Sequence, residues 1–153
     1  MKTVAELLQD SLQAEPEKVI YRFWQDGGIN DQLSFATLDQ RVRAVAALLQ
    51  ISAPPGERVI IALPQSLHPI VALFACMYTG TVAVPIPLPP TNRLDVLKRY
   101  LGDAGSRTII TLAAVASTLK PEAEAAGLKD IQWINMDEIE PASAGSFQRK
   151  SIS

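Results

Sequence analysis

One cysteine, one histidine and no glycine-rich phosphate loop are the scarcities that limit what this chain of 153 residues can do by itself. A lone Cys76 excludes an intramolecular disulfide and a multi-cysteine metal site, and it suits a reducing compartment. A lone His68 excludes a multi-histidine metal site and limits acid–base catalysis. Its position in the first turn of an apolar helix gives it a structural or cap-adjacent role. Neither Gly-x-Gly-x-x-Gly nor Gly-x-x-x-x-Gly-Lys-Ser/Thr occurs. The nearest approach, Gly145 to Lys150-Ser151, lacks the second glycine and a following helix, and reads as tail. There is no Gly-x-Ser-x-Gly elbow to carry a hydrolase nucleophile.

Charge of one sign is also missing. Fourteen Lys and Arg face sixteen Asp and Glu, a net charge of -2 with no long basic run, so the footprint of a nucleic-acid binder is absent. The pairs Glu122/Glu124 and Asp137/Glu138/Glu140 read as solvated faces. The N-terminus carries Glu6, Asp10 and Glu15 and has no unbroken apolar core, against a secretory signal. The most apolar window, residues 69–78, falls well short of the roughly 20 residues that cross a bilayer as a helix. The expectation is a cytoplasmic protein without a membrane span.

What is present is an ordered alternation. Thr3 and Glu6 fit a capping box before a helix whose Val4, Leu7, Leu8 and Leu12 share a face, as far as Pro16. Lys18 to Trp24 reads as a strand, Asp26-Gly27-Gly28 and Asn30-Asp31 as turn chemistry, and Gln32 to Phe35 as a short return strand. Leu38, Val42, Val45 and Leu49 recur at helical spacing over residues 35–50, and Pro54-Pro55-Gly56 stops that helix. Strands are expected from near 59, 82, 108 and 131, about one strand–helix unit apart. Between them lie a helix capped by Ser66 and ended by Gly80, one capped by Asn92 and ended by Gly105, and one over 112–126 ended by Gly127.

The fold class expected is therefore α/β: a mainly parallel sheet with crossover helices on both faces, plus an N-terminal β-hairpin. Ile70, Phe74, Met77 and Tyr78 are assigned to packing against that sheet rather than to a ligand cavity. Pro87-Leu88-Pro89-Pro90 reads as a rigid turn, with docking into an aromatic groove as the alternative. Residues 1–137 form the expected domain. Residues 138–153, small, polar and turn-rich, read as a linker or disordered tail.

Five segments, taken in order, resemble the N-terminal region of the adenylate-forming (AMP-binding) enzymes. The first three are Leu33-Ser34-Phe35 with the alanine-rich helix after it, Gly56-Glu57-Arg58-Val59, and Gly80 with Ala83-Val84-Pro85. Pro87 to Leu94, with Asn92-Arg93, and Asp103-Ala104 are similar to the fatty acyl-AMP ligase branch. The resemblance implies a parent enzyme that couples a fatty acid to ATP with Mg²⁺, releasing pyrophosphate. The acyl-AMP would then pass its acyl group to an acyl carrier protein in lipid, polyketide or lipopeptide synthesis. The family's phosphate loop, its adenine and ribose segments and its C-terminal lysine match no position here, so no catalytic, cofactor-binding or metal-ligating residue is carried over.

The expectation is the N-terminal part of such a ligase, inactive alone, whose partners are the remainder of the ligase and the carrier protein. Self-association through surfaces meant to face the missing part is expected as well. The alternatives are a piece of a fatty acyl-CoA synthetase or of a peptide-synthetase adenylation domain, a non-catalytic binding module of the same fold, or a free-standing flavodoxin-like domain.

Overall fold

The computed structural model describes residues 1–88 and 94–147. Helix α1 (Val4–Ala14) starts at a complete capping box: Glu6 N donates to Thr3 Oγ1 at 3.2 Å and Thr3 N to Glu6 Oε2 at 2.7 Å. Strands β1 (Val19–Gln25) and β2 (Gly28–Ser34) pair antiparallel. Their two-residue turn has φ of 52° at Asp26 and 79° at Gly27, the left-handed pair that a tight hairpin on twisted strands requires. Only part of the expected turn is used. Asn30 and Asp31 lie inside β2, because the Asp26-Gly27 turn already reverses the chain. Phe35, read both as the end of the return strand and as the start of the helix over 35–50, opens α2 (Phe35–Ser52), with Ser34 as its cap.

The second sheet is parallel. Strands β3 (Arg58–Ile61), β4 (Val82–Pro85), β5 (Thr108–Thr111) and β6 (Gln132–Asn135) lie in the order β4-β3-β5-β6. They are joined by α3 (His68–Thr79), α4 (Leu94–Ala104) and α5 (Ala113–Ala125). Helices cover both faces, as the unbroken apolar strands demand. Val59, Ile61, Ile110 and Ile134 point into a core shared with α1, α2 and α3. Ile60, Ala62 and Ile109 point the other way, onto Leu97 and Leu101 of α4 and Leu119 of α5. Burying each such side chain contributes roughly 1.5–3 kcal/mol.

Several helix ends depart from the expected caps. Ser66 does not cap α3, whose N-cap is Leu67 without a side-chain bond; the Ser66 hydroxyl instead accepts the His68 amide at 3.1 Å from outside the helix. Helix α5 begins at Leu112 with no local cap, and Asp137 reaches back from the end of β6 to accept the Ala113 amide at 2.8 Å. That carboxylate, expected on a solvated face, therefore ties β6 to α5. Pro121 lies inside α5 and removes the amide that would bond Ser117, whose exposed position leaves its carbonyl to water. Asn92 and Pro89-Pro90 lie outside the described residues.

The chain beyond Asp137 is not a detached tail as far as Phe147. A 3-10 turn (Pro141–Ser146) folds back against α2, and Phe147 is buried there. Its ring centroid lies 5.7 Å from that of Tyr78, and the Arg43 guanidinium sits 5.9 Å above it. The polar composition of 138–146 hid this, because two apolar side chains, Ile139 and Phe147, make the contact with the core.

Gly80 closes α3 in the left-handed conformation, φ 72°, with its own amide and that of Thr81 both bonding the Cys76 carbonyl. A Cβ at this backbone angle is strained, so Gly80→Ala is expected to lower unfolding stability by about 1–2 kcal/mol in urea titrations.

Candidate functional site

Open parallel sheets bind ligands outside the carboxyl ends of their strands, where neighbouring connections leave toward opposite faces. That point here lies between β3, which leads to α3 on one face, and β5, which leads to α5 on the other. The strand ends are tied together there. Thr111 Oγ1 donates to the Ala62 carbonyl at 2.7 Å, and the Ala62 amide to the Ile110 carbonyl at 2.9 Å. No glycine-rich loop leaves either strand. These residues do not fit a nucleotide's phosphates, and no step through ATP can be derived from them. Among the described residues, no three His, Cys, Asp or Glu side chains gather as a metal ion would need.

The concavity on this edge lies instead over the helical face, a cleft of about 470 Å³ between the start of α2, the start of α3 and the segment after β6. Its floor is aliphatic: Ala44 and Val45 of α2, Val71 of α3, and Met136 and Ile139. Its rim is polar: Asp31, Thr37, Gln40, Arg41 and His68. Arg41 crosses from α2 to β2 and donates to Asp31, 3.1 Å from Nη1 to Oδ2 and 3.5 Å from Nη2 to Oδ1. The hairpin is thereby held against the cleft, although the pair is well exposed and adds little stability.

His68, at the start of α3, is partly buried on this rim. Burial lowers its pKa below the ordinary 6.5, and the nearby Arg41 cation lowers it further, against the weaker pull of Asp137 and Asp31. The imidazole is neutral at pH 7. Among the described residues lining the cleft it is the only imidazole, with the Asp31 carboxylate, the Arg41 guanidinium and the Thr37 hydroxyl on the same rim. Cys76, 1% exposed within α3, has its thiol pKa raised by burial and is chemically quiet.

A second polar cluster escaped the sequence reading. Asp39 of α2, 8% exposed, accepts from Tyr78 Oη (2.8 Å) and Gln9 Nε2 (2.8 Å) on one oxygen and from Arg43 Nε (2.8 Å) on the other. Burial first, and the Asp39 carboxylate second, push the Tyr78 hydroxyl far above its ordinary value. The sequence assigns Tyr78 to packing, and its hydroxyl adds this hydrogen bond. Three of the four stripe residues do pack on the core, Tyr78 fully and Ile70 and Phe74 in part, while Met77 is 39% exposed.

A family model described as AMP-binding enzyme matches residues 8–150. The chain belongs to the AMP-binding enzyme family. It is 34% identical over 99% of its length to the medium-chain-fatty-acid–[acyl-carrier-protein] ligase JamA of Moorena producens, covering 27% of that protein. To the long-chain-fatty-acid–AMP ligase FadD32 of Mycolicibacterium smegmatis it is 42% identical over 68% of its length and 17% of that protein. The structure superposes on the fatty acyl-adenylate ligase from L. pneumophila, solved with acyl adenylate and pyrophosphate, with a TM-score of 0.86. That match has 26% identity and covers 98% of this chain and 26% of that one. The chain thus resembles fatty acyl-AMP ligases throughout but spans about a quarter or less of their length. Among the described residues, no helix is long and apolar enough to cross a membrane.

The displaced titration of His68 has a definite sign. A folded pKa below the unfolded value means the unfolded chain binds more protons, so this contribution is complete above about pH 6.5 and is lost as pH falls toward the folded pKa. Thermal melts across this window are expected to show His68→Gln less acid-sensitive than the parent chain; identical pH slopes would contradict the assignment.

Proposed function

We propose that this chain is the N-terminal part of a fatty acyl-AMP ligase. In the full-length enzyme a fatty-acid carboxylate oxygen attacks the α-phosphorus of ATP, the bond to the β-phosphate oxygen breaks, and acyl-AMP and pyrophosphate result. A carrier protein's phosphopantetheine thiol then attacks the acyl carbonyl, loses its proton and releases AMP. The observation that carries this reading is the match, over 99% of the chain, to an enzyme named as a fatty-acid–carrier-protein ligase. The superposition on an acyl-adenylate ligase supports it independently.

The role of this part is structural. Adenylation needs donors or Mg²⁺ placed on the phosphoryl oxygens during in-line attack, and the strand ends of this sheet offer no such cradle. Nucleotide and Mg²⁺ belong, in this reading, to the polypeptide that completes the enzyme. The family relationship to a putative fatty-acid–CoA ligase, FadD21 of Mycobacterium tuberculosis, 30% identical over 76% of the chain, makes coenzyme A the competing acceptor.

Radiolabelled pyrophosphate exchange tests the assignment. The 153-residue chain with ATP, Mg²⁺ and a medium- or long-chain fatty acid is expected to give no exchange above background. The full-length polypeptide is expected to give fatty-acid-dependent exchange and acyl-AMP that added coenzyme A does not consume. Exchange by the short chain alone would overturn the structural role, and rapid acyl-CoA formation would overturn the choice of acceptor.

A further inference from the structure

The two outer strands of the parallel sheet are unequal, and the difference points to where the sheet is meant to continue. On β4, the amides of Val82 and Ile86 bond inward, to the carbonyls of Glu57 (2.8 Å) and Ile61 (3.0 Å). By the alternation of a strand, Ala83 and Pro85 then face outward. Pro85 has no amide to offer, so this edge is blunted in the way natural sheets block unwanted pairing.

On β6 the Gln132 amide bonds inward to the Arg107 carbonyl at 2.7 Å, leaving the Trp133 backbone and the Asn135 amide facing outward, while the Asn135 carbonyl starts the 3-10 turn Met136–Glu138. Among the described residues β6 pairs with β5 alone. No proline, lysine or bulge protects it. A groove of about 250 Å³ runs beside this edge, where Trp133, Ile134 and Asn135 meet Leu48 of α2 and Ile139. Asn135 Oδ1 is buried without a hydrogen-bond partner, while its Nδ2 donates to Glu138 at 3.1 Å. An orphaned acceptor at an open strand edge is costly unless a further donor arrives.

We propose that the outer edge of β6 is a pairing surface for an extended segment of the same parent polypeptide, lying outside these 153 residues. That segment would add a fifth strand, its amides reaching the Trp133 carbonyl and Asn135 Oδ1 and its apolar side chains filling the groove over Leu48 and Ile139. The occupant is assigned to the parent chain because this sequence spans only 27% of the JamA relative. The fold is therefore one piece of a longer polypeptide in the reading given under Proposed function, on which this inference rests. An edge left unguarded on one side of a sheet, and proline-blocked on the other, is suited to cover by a built-in partner rather than to open solvent.

Hydrogen–deuterium exchange, read by mass spectrometry with fragmentation to single residues, tests the pairing on the 153-residue chain and the full-length protein. Trp133 and Asn135 amides are expected to exchange freely in the short chain and about 100-fold or more slowly in the full-length protein. The Ala83 amide on the blunted edge is expected to be equally fast in both. Fast exchange of Trp133 and Asn135 in both proteins would overturn the proposal. So would protection already present in the short chain that rises with concentration, because a second copy would then hold the edge. Acyl-AMP formation is measured on the same full-length sample. Activity without protection sinks the strand pairing alone, and protection without activity sinks the ligase reading alone.

Discussion

Asp39 is a carboxylate in a place where a lone charge would be prohibitively unfavourable, and the helical layer is organised around satisfying it. Its two oxygens take three hydrogen bonds, from Gln9 on α1, Arg43 on α2 and Tyr78 on α3. Gln9 also donates to the Tyr78 hydroxyl at 3.1 Å, so the three helices share one polar cluster. Remove any donor and a buried charge is left partly bare, which is why such clusters specify one arrangement of helices over the many that apolar packing alone would tolerate. The same cluster extends to the C-terminal segment, since Tyr78 and Arg43 both contact Phe147.

That arrangement decides where the cleft lies. Its two long walls are α2 and α3, and the Asp39–Tyr78 bond is the side-chain hydrogen bond joining them among the described residues. Arg41, two residues from Asp39, then reaches the hairpin, while Arg43 turns back to Asp39 and over the docked Phe147. A reactive centre needs groups that converge on a substrate atom, and here the titratable groups converge on one another. The consequence is a frame of mutually satisfied side chains across α1, α2 and α3.

Local signals carried most of the fold into the sequence. The Thr3–Glu6 box, the left-handed glycine after α3 and the continuous apolar strands each act within a few residues, so their elements fall close to where spacing placed them. The parallel sheet covered on both faces followed from alternation alone. What could not be read is long-range. Asp39 and Tyr78 lie 39 residues apart, and Asp137 caps a helix 24 residues upstream. No spacing rule links such partners before the chain is folded. The docking of Phe147 was masked by polar neighbours. A single Asp39, bracketed by apolar positions 38 and 42, was the available hint that a charge had been placed on a buried face.

The central claim is that the Asp39 cluster, rather than apolar contact alone, sets how α2 and α3 meet. A double-mutant cycle with Asp39→Ala and Tyr78→Phe, followed by urea unfolding of the 153-residue chain, measures it most directly. The account predicts a coupling energy of about 1–3 kcal/mol between the two substitutions. Effects that simply add, to within about 0.5 kcal/mol, would show that the two side chains are neighbours without being partners.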